Sequence, residues 1–344
     1  MPRRSSWLFL LIFGLSIALL PILLDNNETG INLSYTTRAS NLFCRATNLF
    51  RPVVNQNIST QDIRIGTNAS MAVKTPVYFL SHGGPNIMED KDHPAYAKLQ
   101  GIGKEITQQK PKGIVVFSAH WQGEPNVIEV NTAETMPLIY DFYGFPDHYY
   151  QYQYPHTGSP ELAEKVLNLL KGAGIKAEGV RRGLDHGVWA SFMCAFDPKE
   201  NPLGVPIVQV SLFNSDDGDK HYELGRAVRS LREEGIQIIV SGMAVHNLRD
   251  LWKAMSLSQP MPYAVSFDEA LKEAVEQRVD GRQKAMAELL KRPDARKAHP
   301  SFEHLLPIHI GAGAAGDDLG KQLWTKPEGS MSWALYRFGE PVVA

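Results

Sequence analysis

The stretch GIVVFSAHW, residues 113–121, begins with glycine and a run of β-branched and aromatic residues and ends in small residues beside a histidine. A short apolar run of this kind, with longer amphipathic runs elsewhere in the chain, is typical of a buried strand in an α/β fold. A strand holds the side chains at its end rigidly, and Ser118 and Ala119 leave space around the next ring. His120 is therefore a candidate metal ligand, because imidazole is the commonest metal ligand among side chains.

The same arrangement, an apolar run followed by histidine among small residues, occurs at three further places. They are VYFLSHGGP with His82, IQIIVSGMAVHNLRD with His246, and HPSFEHLLPIHIGAGAA with His304. A fifth histidine, His186, lies in RGLDHGVW. In open α/β sheets, ligands bind beyond the carboxyl ends of the strands. Since His82, His120 and His246 follow predicted strands, we expect these three on one rim of the sheet.

From Lys74 onward, short apolar runs alternate with longer amphipathic ones. This alternation predicts an α/β fold with a central, mostly parallel or mixed sheet flanked by helices, in a single catalytic domain over residues 74–344. The predicted strands are Val77–Leu80, Gly113–Ser118, Val127–Val130, Ile207–Val210, Gln237–Ser241 and Ser332–Arg337. The predicted helices are Ala95–Gln108, Pro160–Ala173, Tyr222–Glu233, Phe267–Lys291 and His304–Ala315.

Composition and missing motifs exclude several classes of protein. The formal charge of −2 gives no field that would attract nucleic acid. With only Cys44 and Cys194, the chain has neither a disulfide framework nor a cysteine-rich zinc module. It contains no HExxH, CxxC, Walker-type or G-x-S-x-G motif, which weakens the corresponding metal, phosphate and serine-hydrolase interpretations. Any bound metal must therefore be held by histidine and carboxylate.

The first 24 residues differ from the rest of the chain. Arg3 and Arg4 precede an uncharged apolar run, SSWLFLLIFGLSIALLPILL, over residues 5–24. A basic start followed by such a run predicts a signal peptide or a signal-anchor helix, and so a membrane-anchored protein or one in the secretory pathway.

Residues 25–73 are polar and predict a linker. Its four glycosylation sequons suit a glycosylated stalk, although chance alone also produces sequons in such a composition: Asn27, Asn32, Asn57 and Asn68. The stretch 31–61 contains three arginines and no acid, which fits a mitochondrial presequence as an alternative. A third alternative is a cytosolic protein whose apolar N-terminal segment is not a targeting signal.

Six motifs together resemble the class III extradiol ring-cleavage dioxygenases, and most closely their 4,5-DOPA dioxygenase-like branch. The resemblance extends from about Thr75 to Arg337 and leaves out the first seventy residues. The motifs, in chain order, are SHGGP, FSAHW, YDFYGFP, LDHGVW, SGMAVHNL and EHLLP.

The resemblance implies a role for each of the five histidines. His82 and His120 match the two histidine ligands of the metal, and His304 matches the third ligand, which is a glutamate in protocatechuate-cleaving relatives. His246 matches the acid–base histidine and also approaches the metal in zinc-bound relatives. His186 matches an active-site histidine that contacts substrate or oxygen.

The reaction implied by the resemblance is the opening of a catechol ring by O₂. The partners would be O₂ and a small DOPA-like catechol, the product a muconic semialdehyde, and the cofactor Fe(II), with Zn(II) as another occupant. Two other functions use the same histidines: a zinc-dependent hydrolase, and a metal-binding protein without chemistry. An oxidising compartment would not keep Fe(II) reduced, so the predicted targeting and the predicted iron conflict.

Side chains beside the histidines are further candidates. Tyr140, Phe142, Tyr143 and Phe145, in the aromatic segment 139–155, form either the wall of a substrate site or a loop packed on the core. Asp185 directly precedes His186 and is a candidate for orienting its ring.

Overall fold

The central strands are buried on both faces, as their continuous apolar runs predict. The computed structural model describes residues 74–341, and within that range there are nine strands in one sheet. The strands are β1 (Val77–Ser81), β2 (Gly113–Gln122), β3 (Ile128–Asn131), β4 (Ala177–Val180), β5 (Ile207–Leu212), β6 (Ile236–Gly242), β7 (Val245–His246), β8 (Gly320–Glu328) and β9 (Met331–Phe338).

The sheet is mixed, with a parallel centre. Its strand order is β4-β3-β5-β2-β6-β1-β9-β7, and β8 pairs with β9 as a hairpin. The neighbours β5, β2, β6 and β1 run parallel, whereas β9 runs antiparallel to β1. This arrangement confirms the predicted α/β class with a mixed central sheet.

Helices cover both faces of the sheet. They are α1 (Pro94–Gln108), α2 (Pro160–Gly172), α3 (His186–Ala195), α4 (Gly218–Val228), α5 (Leu251–Met255), α6 (Pro262–Val275), α7 (Val279–Leu289), α8 (Ala295–Ala298) and α9 (Leu306–Ala314). One apolar core lies between the sheet and α2, α4, α6, α7 and α9, and the other contains α1 and α3. Alternate residues of β1 belong to the two cores, since Val77 and Phe79 face the first and Tyr78 and Leu80 the second.

Most predicted elements are confirmed, but two predicted helices are wrong in extent and one buried helix was missed. The predicted helix Phe267–Lys291 is two helices, α6 and α7, because tertiary packing turns the chain at a point without glycine or proline. The predicted helix His304–Ala315 begins only at Leu306, where Pro307 occupies the first turn and His304 is left in the preceding turn. Helix α3 was not predicted, because nine of its ten residues are buried and no amphipathic face marks it.

None of the helices in residues 74–341 is both long and apolar enough to cross a bilayer. The predicted signal segment 1–24 and the polar linker 25–73 lie outside the described residues. The membrane-anchored or secretory location of the protein therefore stays a prediction.

A buried guanidinium joins the start of β1 to the end of α9. Arg232 donates to the carbonyl oxygens of Thr75 at 2.6 Å and of Ala314 and Ala315 at 2.8 Å, and it pairs with the carboxylate of Asp318. Its side chain is only 1% exposed. The carboxylate of Asp318 is what neutralises this buried charge, because carbonyl oxygens satisfy its N–H groups without balancing it.

We predict that Asp318→Asn lowers the free energy of unfolding by about 2 kcal/mol at pH 7. Burial raises the pKa of Asp318, but hydrogen bonds from Lys74 and Arg232 outweigh it and lower the pKa below the usual 3.8. The stabilisation is therefore complete above about pH 5 and is lost as the pH falls through the lowered pKa of the folded state. Urea unfolding should show a difference in the free energy of unfolding between the parent protein and the variant at pH 7. This difference should be smaller at pH 3.

The matched control is Asp317→Asn, which changes an exposed neighbour. The prediction is wrong if both variants unfold at the same urea concentration at pH 7.

Candidate active site

Two histidines stand next to each other because their strands are in register. Ser81 of β1 lies opposite Gly242 of β6, and Ser118 of β2 lies opposite Ser241 of the same strand. His82 follows Ser81, and its backbone N–H donates to the carbonyl of Gly242 at 3.1 Å. The ring centroids of His82 and His120 are consequently 4.9 Å apart.

The other three histidines come from outside the parallel strands. His304 lies in the turn before α9, with its ring centroid 4.9 Å from that of His120 and 5.3 Å from that of His82. His186 begins α3, and its centroid lies 4.1 Å from that of His120. His246 ends β7 and stacks on His304 with centroids 3.6 Å apart. All five histidines singled out in the sequence thus lie in one cluster.

Four of the five rings have their Nδ1 atom next to an oxygen acceptor. The partner of His82 is the carbonyl of Gly83 at 2.7 Å, and that of His304 is a carboxylate oxygen of Glu303 at 3.0 Å. When Nδ1 carries the proton and donates it to such an acceptor, Nε2 presents a lone pair, which is the form that binds metals.

A single carboxylate serves the remaining two of these rings. Oδ2 of Asp141 lies 2.8 Å from Nδ1 of His120, and Oδ1 lies 2.9 Å from Nδ1 of His186. The backbone N–H of His186 donates to the same Oδ1 at 2.9 Å. Asp141 therefore favours an available Nε2 on two neighbouring rings.

The residues fit a metal ion. Nε2 of His82 is buried without a hydrogen-bond partner among the described residues, and the Nε2 atoms of His120 and His304 face each other at 3.2 Å. Two lone pairs at that distance repel unless a proton or a cation lies beside them. Two groups have ligand atoms within 4.8 Å of one another: His82, His120 and His186 form one, and His246, Glu303 and His304 form the other. Imidazole donors suit iron and zinc alike, so the donor set does not fix the metal.

Burial keeps most of the cluster neutral. Burial and the neighbouring histidines hold the pKa values of His82 and His304 well below the usual 6.5, and they lower that of His246 to about 3. Burial also lowers the pKa of His120, but Asp141 outweighs this effect and raises it overall. Neutral imidazoles are the form that can bind a metal.

Asp141 is the residue that sequence reasoning missed. The motif YDFYGFP contains it, but only the aromatic residues of that motif were singled out. Asp185, the candidate for orienting His186, has another role: it accepts hydrogen bonds from Ser118 at 2.7 Å and from Arg182 at 3.0 Å. The sequence signal for Asp141 was that it is the one acidic residue in the aromatic-rich motif YDFYGFP.

The four aromatic candidates separate in the structure. Phe142 is buried, with its ring centroid 5.5 Å from that of His186, and Phe145 packs edge-on against Phe142 at 5.3 Å. Tyr140 packs against Trp189 at 5.6 Å. Tyr143 is 84% exposed and does not form part of a buried wall. Phe142 is therefore the aromatic side chain of this segment in contact with the histidine cluster.

Two glycines allow the close approach of the site's elements. A Cβ at Gly187 would lie 2.7 Å from Oγ of Ser118 and 2.8 Å from Cδ2 of His120, so any larger residue would push α3 away from β2. Gly83 has a φ of +62°, and a Cβ there would lie 1.9 Å from the indole of Trp333. Both glycines directly follow a clustered histidine.

Comparison with known proteins agrees with this geometry. Residues 76–334 match the family described as the catalytic LigB subunit of aromatic ring-opening dioxygenase. The protein named 4,5-DOPA dioxygenase extradiol from Beta vulgaris is 36% identical, over 76% of this chain and 95% of its own length. The protein of the same name from Escherichia coli K12 is 34% identical, over 71% and 86%.

A solved structure gives the same answer for the fold. An uncharacterized protein from Escherichia coli K12 superimposes with a TM-score of 0.63 and 29% sequence identity, covering 77% of this chain and all of its own. The fold, the matched family and the curated relatives therefore point to one assignment: the chain belongs to the LigB family of class III extradiol dioxygenases and is an aromatic ring-opening dioxygenase.

Proposed function

We propose that this dioxygenase opens the ring of a small DOPA-like catechol with O₂, beside the diol, and releases a muconic semialdehyde-type product. The observation that carries the proposal is the cluster of five histidines, three of them buried, in which four rings are held so that Nε2 is available. The names of the relatives from Beta vulgaris and Escherichia coli support a DOPA-like substrate. The family assignment favours this function over a zinc-dependent hydrolase.

We assign His82, His120 and His304 as the ligands of Fe(II). Their ring centroids form a triangle with sides of 4.9, 4.9 and 5.3 Å, and each Nδ1 is next to an oxygen acceptor. When bound, Fe(II) supplies open positions for both reactants and the redox capacity that lets triplet O₂ react with a singlet catechol.

His246 is the proposed acid–base residue. Its ring is neutral at physiological pH, because burial and the neighbouring histidines lower its pKa to about 3, and it stacks on His304. A neutral ring nitrogen at this position accepts the proton that a catechol hydroxyl loses, and the protonated ring later returns it.

His186 is the proposed contact to substrate or O₂. Its Nδ1 and its backbone N–H both point to Asp141, which fixes the ring and turns Nε2 away from the carboxylate. The ring of Phe142 packs edge-on beside it and excludes water from that side. A catechol ring fits next to such a pair, because aromatic rings pack well edge-to-face.

We predict catechol-dependent O₂ consumption by the full-length protein reconstituted with Fe(II) without air. One O₂ should disappear for each L-DOPA, together with the appearance of a yellow ring-opened product. An oxygen electrode and absorbance spectroscopy measure both quantities. The same protein loaded with Zn(II) should consume none, since Zn(II) has no redox chemistry. Zinc-dependent ester hydrolysis with no O₂ uptake by the iron form would contradict the proposal.

We predict that His82→Ala and His304→Ala each weaken Zn(II) binding, measured by calorimetry, by more than about 100-fold. That loss exceeds the roughly 10- to 100-fold typical of residues that only support a ligand. The control is His148→Ala, which changes a half-exposed histidine outside the cluster. A larger loss in His186→Ala than in His304→Ala would assign the metal to the group of His82, His120 and His186 instead.

We predict that His246→Ala retains Zn(II) affinity within about threefold but lowers kcat for catechol cleavage by about 10²- to 10⁴-fold, the usual contribution of acid–base catalysis. Calorimetry and O₂ uptake on one preparation separate the two effects. Loss of metal in proportion to activity would instead make His246 a ligand.

A further inference from the structure

Asp141 is unusual among the residues around the cluster because its two carboxylate oxygens face two different histidine rings. Oδ2 faces His120, which we assign to the metal, and Oδ1 faces His186, which we assign to the substrate. A carboxylate is the one common side chain that can accept from two donors on both of its oxygens without offering a hydrogen itself.

The backbone around Asp141 is held on both sides. The N–H of Ile139 donates to the carbonyl of Leu184 at 2.8 Å, and the indole N–H of Trp189 donates to the carbonyl of Ile139 at 3.0 Å. Leu184 and Trp189 flank His186 in the chain. The segment that carries Asp141 is therefore tied to the same turn and helix that carry one of its two partners.

A second anchor lies further along the aromatic segment. The carboxylate of Glu89 accepts hydrogen bonds from the hydroxyls of Tyr149 at 2.8 Å and Tyr152 at 2.7 Å, and the ring of His148 lies within 2.8 Å. Tyr140 in turn donates to the carbonyl of Tyr152 at 2.6 Å. Tyr140, Tyr149 and Tyr152 therefore fix the segment through their hydroxyl groups. These three hydroxyls are engaged and are not free to bind a substrate.

We propose that Asp141 is a positioning residue that fixes the Nδ1–H tautomer of His120 and His186 together, and so sets the metal-binding and the substrate-facing nitrogen with one side chain. The inference rests on the proposed function for what each ring then does. The tautomer of His186 follows from its hydrogen bond with Oδ1 of Asp141. That of His120 follows from the 2.8 Å approach of its Nδ1 to Oδ2, which has no other hydrogen-bond donor among the described residues. In both cases the carboxylate can only accept.

The substitution Asp141→Asn tests the idea with almost no change of shape. An amide has one accepting oxygen and one donating NH₂ group, so it can accept from only one of the two rings. The other ring must then accept at Nδ1 and carry its proton on Nε2. That nitrogen can no longer bind a metal or accept a proton.

The experiment has two readouts. In metal-free protein labelled with ¹⁵N-histidine, at a pH where the rings are neutral, long-range ¹H–¹⁵N NMR shows which ring nitrogens are protonated. We expect both rings as Nδ1–H in the parent, and one of them as Nε2–H in Asp141→Asn. Zn(II) affinity, measured by calorimetry, should fall about 10- to 100-fold if the switched ring is His120. If the switched ring is His186, affinity should hold and KM for the catechol should rise.

Three variants provide controls. Asp147→Asn changes an exposed acid of the same segment and should alter neither readout. Glu89→Gln loosens the tyrosine anchor but leaves both acceptors of Asp141, so both rings should stay Nδ1–H. Asp141→Glu restores two accepting oxygens and should return both rings to that tautomer.

The outcomes of this experiment separate the inference from the proposed function. Two unchanged Nδ1–H rings in Asp141→Asn overturn the inference, even if the parent cleaves catechols. A tautomer switch in Asp141→Asn supports it, and it does so even if the parent with Fe(II) leaves every catechol intact, which would overturn the proposed function alone.

Discussion

The parallel pairing of β1, β6 and β2 is the constraint on which the rest of the site depends. Register places Ser81 opposite Gly242 and Ser118 opposite Ser241, so the chain leaves neighbouring strands at the same level. A shift of one residue would turn every side chain to the other face of the sheet. His82 and His120 meet only because this register holds, and the turn before α9, with α3 and β7, then brings the remaining three rings to them.

Packing five imidazoles together, three of them buried, is costly unless the rings stay neutral and hydrogen-bonded. The structure meets both demands at once. Burial lowers the pKa of most of these rings, and oxygen acceptors from Gly83, Glu303 and Asp141 occupy four of the Nδ1 atoms. Among the described residues, Nε2 of His82 is left without a hydrogen-bond partner, and the Nε2 atoms of His120 and His304 face each other. The ring nitrogens that remain free to bind are therefore those within the cluster, where a metal and its substrate would lie.

The predictions that failed share a physical cause, which is that tertiary contacts decided the local structure. Helix α3 is buried all round and so lacks the periodic pattern by which a surface helix is found. The break between α6 and α7 has no glycine or proline to mark it. Because the chain changes direction at this break, Arg282 of α7 donates hydrogen bonds to the carbonyl oxygens of Asp318 and Gly316. The carboxylate that orients the ring of His186 belongs to Asp141, which lies 45 residues away in the chain. The adjacent residue Asp185 does not have this role.

The sequence by itself determined the α/β class, the central strands and the five histidines of the site. Each of these leaves a local trace, either an apolar run of strand length or a histidine among small residues at its end. Only the tertiary structure decided that all five rings meet, which oxygen fixes each Nδ1, and that Phe142 rather than Tyr143 lies against the cluster. These facts depend on contacts between residues far apart in the chain, and the direction of a side chain across a sheet or a loop has no local pattern from which to predict it.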